Sequence, residues 1–233
     1  MMTKIPADRR HFADHGWLKT HYLFSFADYH DPANVNFGTL RVFNDDVIAG
    51  HSGFGDHDHA NMEIVTIVLS GELTHGDNMG NGGTIRAGEV QYMSAGTGVT
   101  HSEKNAADGP VHLYQIWIMP DREDEAPRYA QKDFAPLRQS NALTPVASGQ
   151  GYEGAMEIRT EATIYLGGLE AGHAIDHVIA RGRGAFVYVT QGVLDIDGTT
   201  FAAGDQARVT LEGSLTVHAQ RNAEFVLIDV PVA

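Results

Sequence analysis

Two stretches of the chain read as copies of one another. Residues 66–94, TIVLSGELTHGDNMGNGGTIRAGEVQYMS, and residues 187–210, VYVTQGVLDIDGTTFAAGDQARVT, each run strand, glycine, strand and loop. Each then has a small residue with glycine and an acidic residue, followed by a further strand. Setting Gly71 on Gly192 and Gly88 on Gly204 leaves the first copy with a loop five residues longer, filled by its glycine-rich turn. This self-similarity predicts an internal duplication of one β unit. The remaining periodic segments, such as VHLYQIWIM and FVLIDV, are short and rich in Val, Ile and Tyr, the pattern of an all-β sandwich or barrel. Helical periodicity is weak, although residues 123–139 are compatible with a short turn or helix between two prolines. The chain's 233 residues, 42% hydrophobic, suffice for one large core or two modest ones. The weakly patterned stretch from about 120 to 150, with Pro120, Pro127, Pro136 and Pro145, marks the boundary, giving domains 1–135 and 136–233.

Composition removes several chemistries. Without cysteine there are no disulfides, thiolate metal sites or cysteine nucleophiles, so a metal must be held by His, Asp or Glu. The net charge of −14 argues against a nucleic-acid partner bound by simple electrostatics. The N-terminus lacks the apolar core of a signal peptide, and IVTIVL (64–69) is far too short to cross a bilayer, so a soluble, cytoplasmic protein is expected, with no membrane partner. MGNGGTIRAG lacks the Lys-Ser/Thr ending of a phosphate loop, and no G-x-S-x-G elbow is present.

The histidines need weighing against chance. With 13 in the chain, random placement yields about 0.7 H-x-H pairs, so His57/His59 or His101/Glu103 alone carry little weight. On strands, however, residues i and i+2 share a face, so each pair points one way. The turn SAGTGVT (94–100) could return the second pair to the first across a barrel mouth. Imidazole and carboxylate ligands of this kind suit iron, zinc, manganese, cobalt, nickel or copper, with a position left open for substrate. In the second copy, aligned on Gly192, the positions matching His57, His59 and Glu63 are Val178, Ala180 and Gly184, which cannot bind a metal through their side chains. His11, His15, His21, His30, His173, His177 and His218 read as structural; His51, His75 and His112 could line a pocket mouth.

H-x-H-x3-E at 57–63, the glycine-led strand from Gly88 and the later histidine match the cupin pattern. NDDVIAGHSGFGDHDHANMEIVTIVLSGELTH, GEVQYMSAGTGVTHSEKN and HLYQIWIMP together closely resemble the pirin family, specifically its bacterial quercetinase-like members, most strongly over 14–130. The resemblance implies two cupin barrels (double-stranded β-helix, or jelly-roll) in one chain, the first binding metal and the second not. It implies His57, His59, His101 and Glu103 as ligands of one divalent ion, iron(II) first. General cupins instead take their glutamate from the first motif, here Glu63, four residues after His59 and so of the same strand parity; Glu63 otherwise orients a ligand. Ser94 stands where general cupins commonly have proline, as it does in pirins.

The activity implied is that of quercetin 2,3-dioxygenase, cleaving flavonols with dioxygen to a ring-opened ester and carbon monoxide. Glu103 or Glu63 would take the proton of the 3-hydroxyl. The alternative of a different class is a non-enzymatic, metal-dependent regulatory protein with a protein partner, as described for some pirin relatives. A cupin isomerase or sugar-binding barrel fits the fold alone.

Overall fold

Along the strand Glu63–Ser70, Ile64, Thr66 and Val68 turn to one side while Glu63, Val65 and Ile67 turn to the other, and both sides are buried. Alternation buried on both faces requires a layer above and below. The computed structural model, which describes residues 1–232, supplies both. Glu63–Ser70 lies inside a seven-stranded antiparallel sheet with Leu40–Ile48, Glu89–Ser94 and Val111–Ile118 among its members. One face of that sheet meets the four-stranded sheet Ser52–His59, Val99–Asn105, Glu72–Asp77 and Gly82–Arg86, closing the first barrel over Ile48, Val68, Leu73, Ile85 and Leu113. The other face meets the second half: Phe43, Val65, Ile67 and Tyr114 share one core with Ile164, Phe186, Tyr188 and Val226. Two long strands, Arg183–Ile196 and Gly213–Pro231, then bend round a separate core of Leu194, Phe201, Leu215 and Leu227. The molecule is therefore all-β, two barrels sharing an apolar interface.

The duplication is visible in the backbone. Gly71 and Gly192 have φ of 75° and 83°, and Gly88 and Gly204 both lie near 85–88°. A Cβ at Gly71 would come within 2.7 Å of the Pro110 carbonyl oxygen, and one at Gly192 within 2.0 Å of that of Asn222. The same left-handed turn, pressed against the same neighbouring strand, explains why both copies need glycine there.

Three sequence expectations are altered. Within 123–139 the short turn is the 3-10 turn Ala135–Leu137, while residues 128–133, between Pro127 and Pro136, form a strand paired with Glu89–Ser94. The chain passes between sheets after Asp133, but Met2–Ile5 pairs with Gln206–Val209, so the first strand of the 1–135 segment caps the edge of the second half's sheet. The match of His57 and His59 to Val178 and Ala180 is displaced by one residue. In Ala174–Ile179 it is His177 and Ile179 that face inward, while Val178 is 71% exposed. The shift near Gln191 has its counterpart beside Leu69 in the first copy, and Val65 and Ile67 already correspond to Phe186 and Tyr188 in the shared core, so the extra residue lies in the turn after Ile179, where alignment on glycine could not see it. The second barrel still lacks an H-x-H pair: Leu215 lies opposite His177 where His101 lies opposite His57, and His177 Nε2 is taken by Asp229 at 2.7 Å.

Candidate metal centre

His57 and His59 end the strand Ser52–His59, which pairs antiparallel with Val99–Asn105 so that His101 stands directly across from His57. A bulge between His101 and Glu103, with Glu103 opposite Phe54, keeps both side chains inside while the partner strand bends away. The three imidazoles cluster at the barrel mouth, with ring centroids 4.8 Å (His57–His59), 4.3 Å (His57–His101) and 5.0 Å (His59–His101) apart. One nitrogen of each lies within 4.8 Å of the others. His57 Nδ1–H donates to the Gly55 carbonyl at 2.8 Å, which leaves its Nε2 as the lone-pair atom. His101 Nε2 is buried without any partner. Burial, then the neighbouring His57, lowers His59 to about 4. Burial, then His57, His59 and His75, lowers His101 to about 3. His59 and His101 are thus neutral at neutral pH, and an orphaned nitrogen among converging imidazoles fits a divalent cation.

Glu103 lies one layer deeper, fully buried. Its Oε1 accepts from Thr66 Oγ1 at 3.4 Å and Gln91 Nε2 at 3.3 Å, and its Oε2 from Gln115 Nε2 at 2.8 Å. Burial raises its pKa above the usual carboxylate range, against the pull of His75 and His57. A carboxylate oxygen of Glu103 lies within 4.8 Å of nitrogens of both His75 and His101. Glu103 thus approaches the cluster from the His101 side.

Glu63 is turned elsewhere. The parity argument counts four residues from His59, but residues 60–62 form a turn, with Asn61 at φ 49°, and Glu63 begins a strand of the other sheet. Its carboxylate sits at the interface between the two halves, accepting from Tyr92 Oη–H, from Ser94 Oγ at 2.7 Å and from the Arg159 backbone N–H at 3.0 Å. Its acceptor oxygens are thus engaged at this junction and not at the imidazole cluster.

Sequence reasoning left His75 undecided and did not single out Gln91, Gln115, Tyr129 or Trp117. His75 follows the inward Leu73 by two, so strand parity alone would have placed it inside. It stacks on Tyr129, whose pKa burial raises to about 12, and its Nε2 lies 3.1 Å from Asp77 Oδ2. Burial pushes the Asp77 carboxyl up, but hydrogen bonds from Asn81, His75 and the Met79 backbone hold it below its usual value. His51 pairs with Asp108 on the surface, and His112 Nε2 meets Asp45 at 2.6 Å, so neither joins the cluster. At the mouth, Trp117 lies edge-on to His59 with centroids 4.9 Å apart and to Phe26 at 5.2 Å, giving the cluster an aromatic wall.

Asp46 lies in the same polar layer, and burial followed by the nearby Asp45 and Glu103 charges raises it to about 7. A carboxyl raised in the folded state contributes stability at low pH that is lost as pH rises through the folded value. The wild type should therefore lose about 2 kcal/mol between pH 5 and pH 7 on this account. Asp46→Asn should flatten that slope in urea titrations; an unchanged slope would show that Asp46 ionises freely.

Two fused barrels with an imidazole cluster at the mouth of the first define a double cupin with a metal-competent site. The chain belongs to the pirin family. The family's own profile, Pirin, matches residues 6–118, and that described as the quercetinase C-terminal cupin domain matches 145–230. Quercetin 2,3-dioxygenase of Escherichia coli K12 is 40% identical over 226 residues, spanning 97% of this chain and 96% of its own. A pirin-like protein of Caulobacter vibrioides is 40% identical over 230 residues, spanning 98% and 99%. The crystal structure of the bacterial pirin YhhW from Escherichia coli in complex with nickel(II) superposes with a TM-score of 0.95 at 38% identity, covering all of both chains. No helix among the described residues is long and apolar enough to cross a membrane.

Proposed function

We propose that the chain is a metal-dependent flavonol dioxygenase, using dioxygen to open quercetin-like substrates to an ester with release of carbon monoxide. The observation that carries this reading is the buried, partnerless Nε2 of His101, on a ring clustered with His57 and His59, in a chain 40% identical to a protein named quercetin 2,3-dioxygenase. His57, His59, His101 and Glu103 would hold one divalent ion. Iron(II) is the first expectation, although nickel(II) is the ion in the YhhW complex and the donor set also accepts zinc, manganese, cobalt or copper. Such an ion supplies a Lewis acid that lowers the pKa of a hydroxyl bound to it.

The chain's own groups supply the rest. Trp117 and Phe26 offer flat apolar faces beside His59, suited to a polyphenol ring. Glu103, acceptor-only when ionised, takes the 3-hydroxyl proton. The apolar residues Ile64, Met93 and Val99, packed with Met62 and Trp117, keep that side of the mouth dry. Incubating the protein, loaded in turn with each of these ions, with quercetin in air should release carbon monoxide at the rate of flavonol loss. Absence of turnover with every ion tried would overturn the assignment. A protein partner captured only in the absence of chelator, with no turnover, would favour the regulatory reading.

A further inference from the structure

We propose that His75 and Asp77 are positioning residues, which hold His101 in the one tautomer whose Nε2 is free to bind a metal. This rests on the reading of His101 as a ligand. Three side chains on two adjacent strands, Glu72–Asp77 and Val99–Asn105, form a directed chain of hydrogen bonds, with His101 opposite Asp77 and Glu103 opposite His75.

Asp77 fixes the sense of the chain. Its Oδ1 accepts from the backbone N–H groups of Met79 and Asn81, both at 2.9 Å, and its Oδ2 accepts from Asn81 Nδ2 at 2.9 Å. A carboxylate so engaged is an acceptor only, so the remaining contact, 3.1 Å to His75 Nε2, requires the hydrogen to sit on that nitrogen. With its one hydrogen held at Nε2 by Asp77, the ring presents a lone pair at Nδ1. That atom faces His101 Nδ1 at 3.5 Å, a long contact that is satisfied only if His101 Nδ1 carries the hydrogen. His101 Nε2 is left as a lone pair, and it is the buried nitrogen without a partner. Neutral histidine in water prefers the opposite tautomer, with its hydrogen on Nε2, so the arrangement selects the minor form. The side chains of His75 and Asp77 have no exposure, and Tyr129 stacked on His75 keeps the ring from turning.

His75, His101 and Glu103 also present donor atoms within 4.8 Å of one another. An ion held between His75 and His101 would break the contact between their Nδ1 atoms. His75 is therefore better used as the acceptor that orients His101, a role that raises ligand basicity and fixes the ring, typically worth about 10–100-fold in metal affinity.

Nickel(II) affinity measured by chelator competition tests this with two variants. His75→Phe keeps the stacked ring but offers no acceptor, and should weaken nickel binding by about 10–100-fold. His75→Asn places an amide oxygen near the position of Nδ1 and should recover most of that loss. In the wild type without metal, nitrogen NMR should show hydrogen on His101 Nδ1 and none on Nε2. Full nickel affinity in folded His75→Phe overturns the proposal. So does equal and complete loss in both variants with one imidazole fewer on the bound ion, which would make His75 a ligand. If His75→Phe does not fold, an Nε2–H signal from wild-type His101 overturns it alone. Undiminished nickel binding by His101→Ala would instead overturn the ligand assignment on which it rests.

Discussion

Glu103→Gln should lower divalent-metal affinity and flavonol turnover by about 100-fold or more while leaving the fold intact. Removing a ligand should exceed the loss of about 10–100-fold typical of a residue that only orients one. The fold tolerates the change because the replacement amide finds partners. Thr66, Gln91 and Gln115 already surround the carboxylate as donors, and Gln91 Oε1 is a buried oxygen without a partner, ready to accept from the new amide. Burial raises the Glu103 pKa in the folded state, so its ionised form costs stability as pH rises through that value; a neutral amide removes the cost. The variant should therefore be at least as stable as the wild type wherever the wild-type carboxyl is ionised. Isothermal titration with nickel(II), carbon monoxide release and urea denaturation separate these effects. Wild-type metal affinity in Glu103→Gln would remove Glu103 from the ligand set.

The parts legible in the sequence were those carried by local pattern. Gly71, Gly88, Gly192 and Gly204 could be paired because each turn needs a positive φ and admits no Cβ, a constraint written on single residues. The i, i+2 spacing likewise placed His57 with His59 and His101 with Glu103. What failed was parity carried across a break. The turn at 60–62 restarts the count before Glu63, and one extra residue in the turn after Ile179 displaces the second copy, so that His177 and not Val178 looks inward. Neither break alters composition. The strand Arg128–Asp133 was missed because it shows no clean alternation, being partly buried over its four central positions; its strand state comes from pairing with Glu89–Ser94, a partner distant in sequence. His75 was equally hidden, since its value lies in facing His101 from a neighbouring strand.

Glu63→Leu should have the reverse signature of Glu103→Gln: a large loss of stability with metal affinity preserved. The Glu63 carboxylate is the acceptor for Tyr92, Ser94 and the backbone N–H of Arg159, and Tyr92 and Ser94 are each 1% exposed. A leucine would strand these donors at about 1–3 kcal/mol apiece, so the total loss is about 5 kcal/mol after allowing for the apolar burial gained. That is a large fraction of the about 5–15 kcal/mol that holds a typical domain folded. Arg159 belongs to the second half and Tyr92 to the first, so the same change loosens the junction between barrels and should broaden or split the urea transition. Glu63→Gln, which keeps one acceptor oxygen, should lose about 1–3 kcal/mol, within the range for one hydrogen bond to a charged group. Nickel(II) affinity should stay within about twofold in both variants, because this carboxylate faces away from the histidine cluster and makes no contact with its ligands. If Glu63→Gln weakened nickel binding as much as Glu103→Gln, the general cupin assignment would hold and the carboxylate nearest His59 in sequence would be the ligand after all.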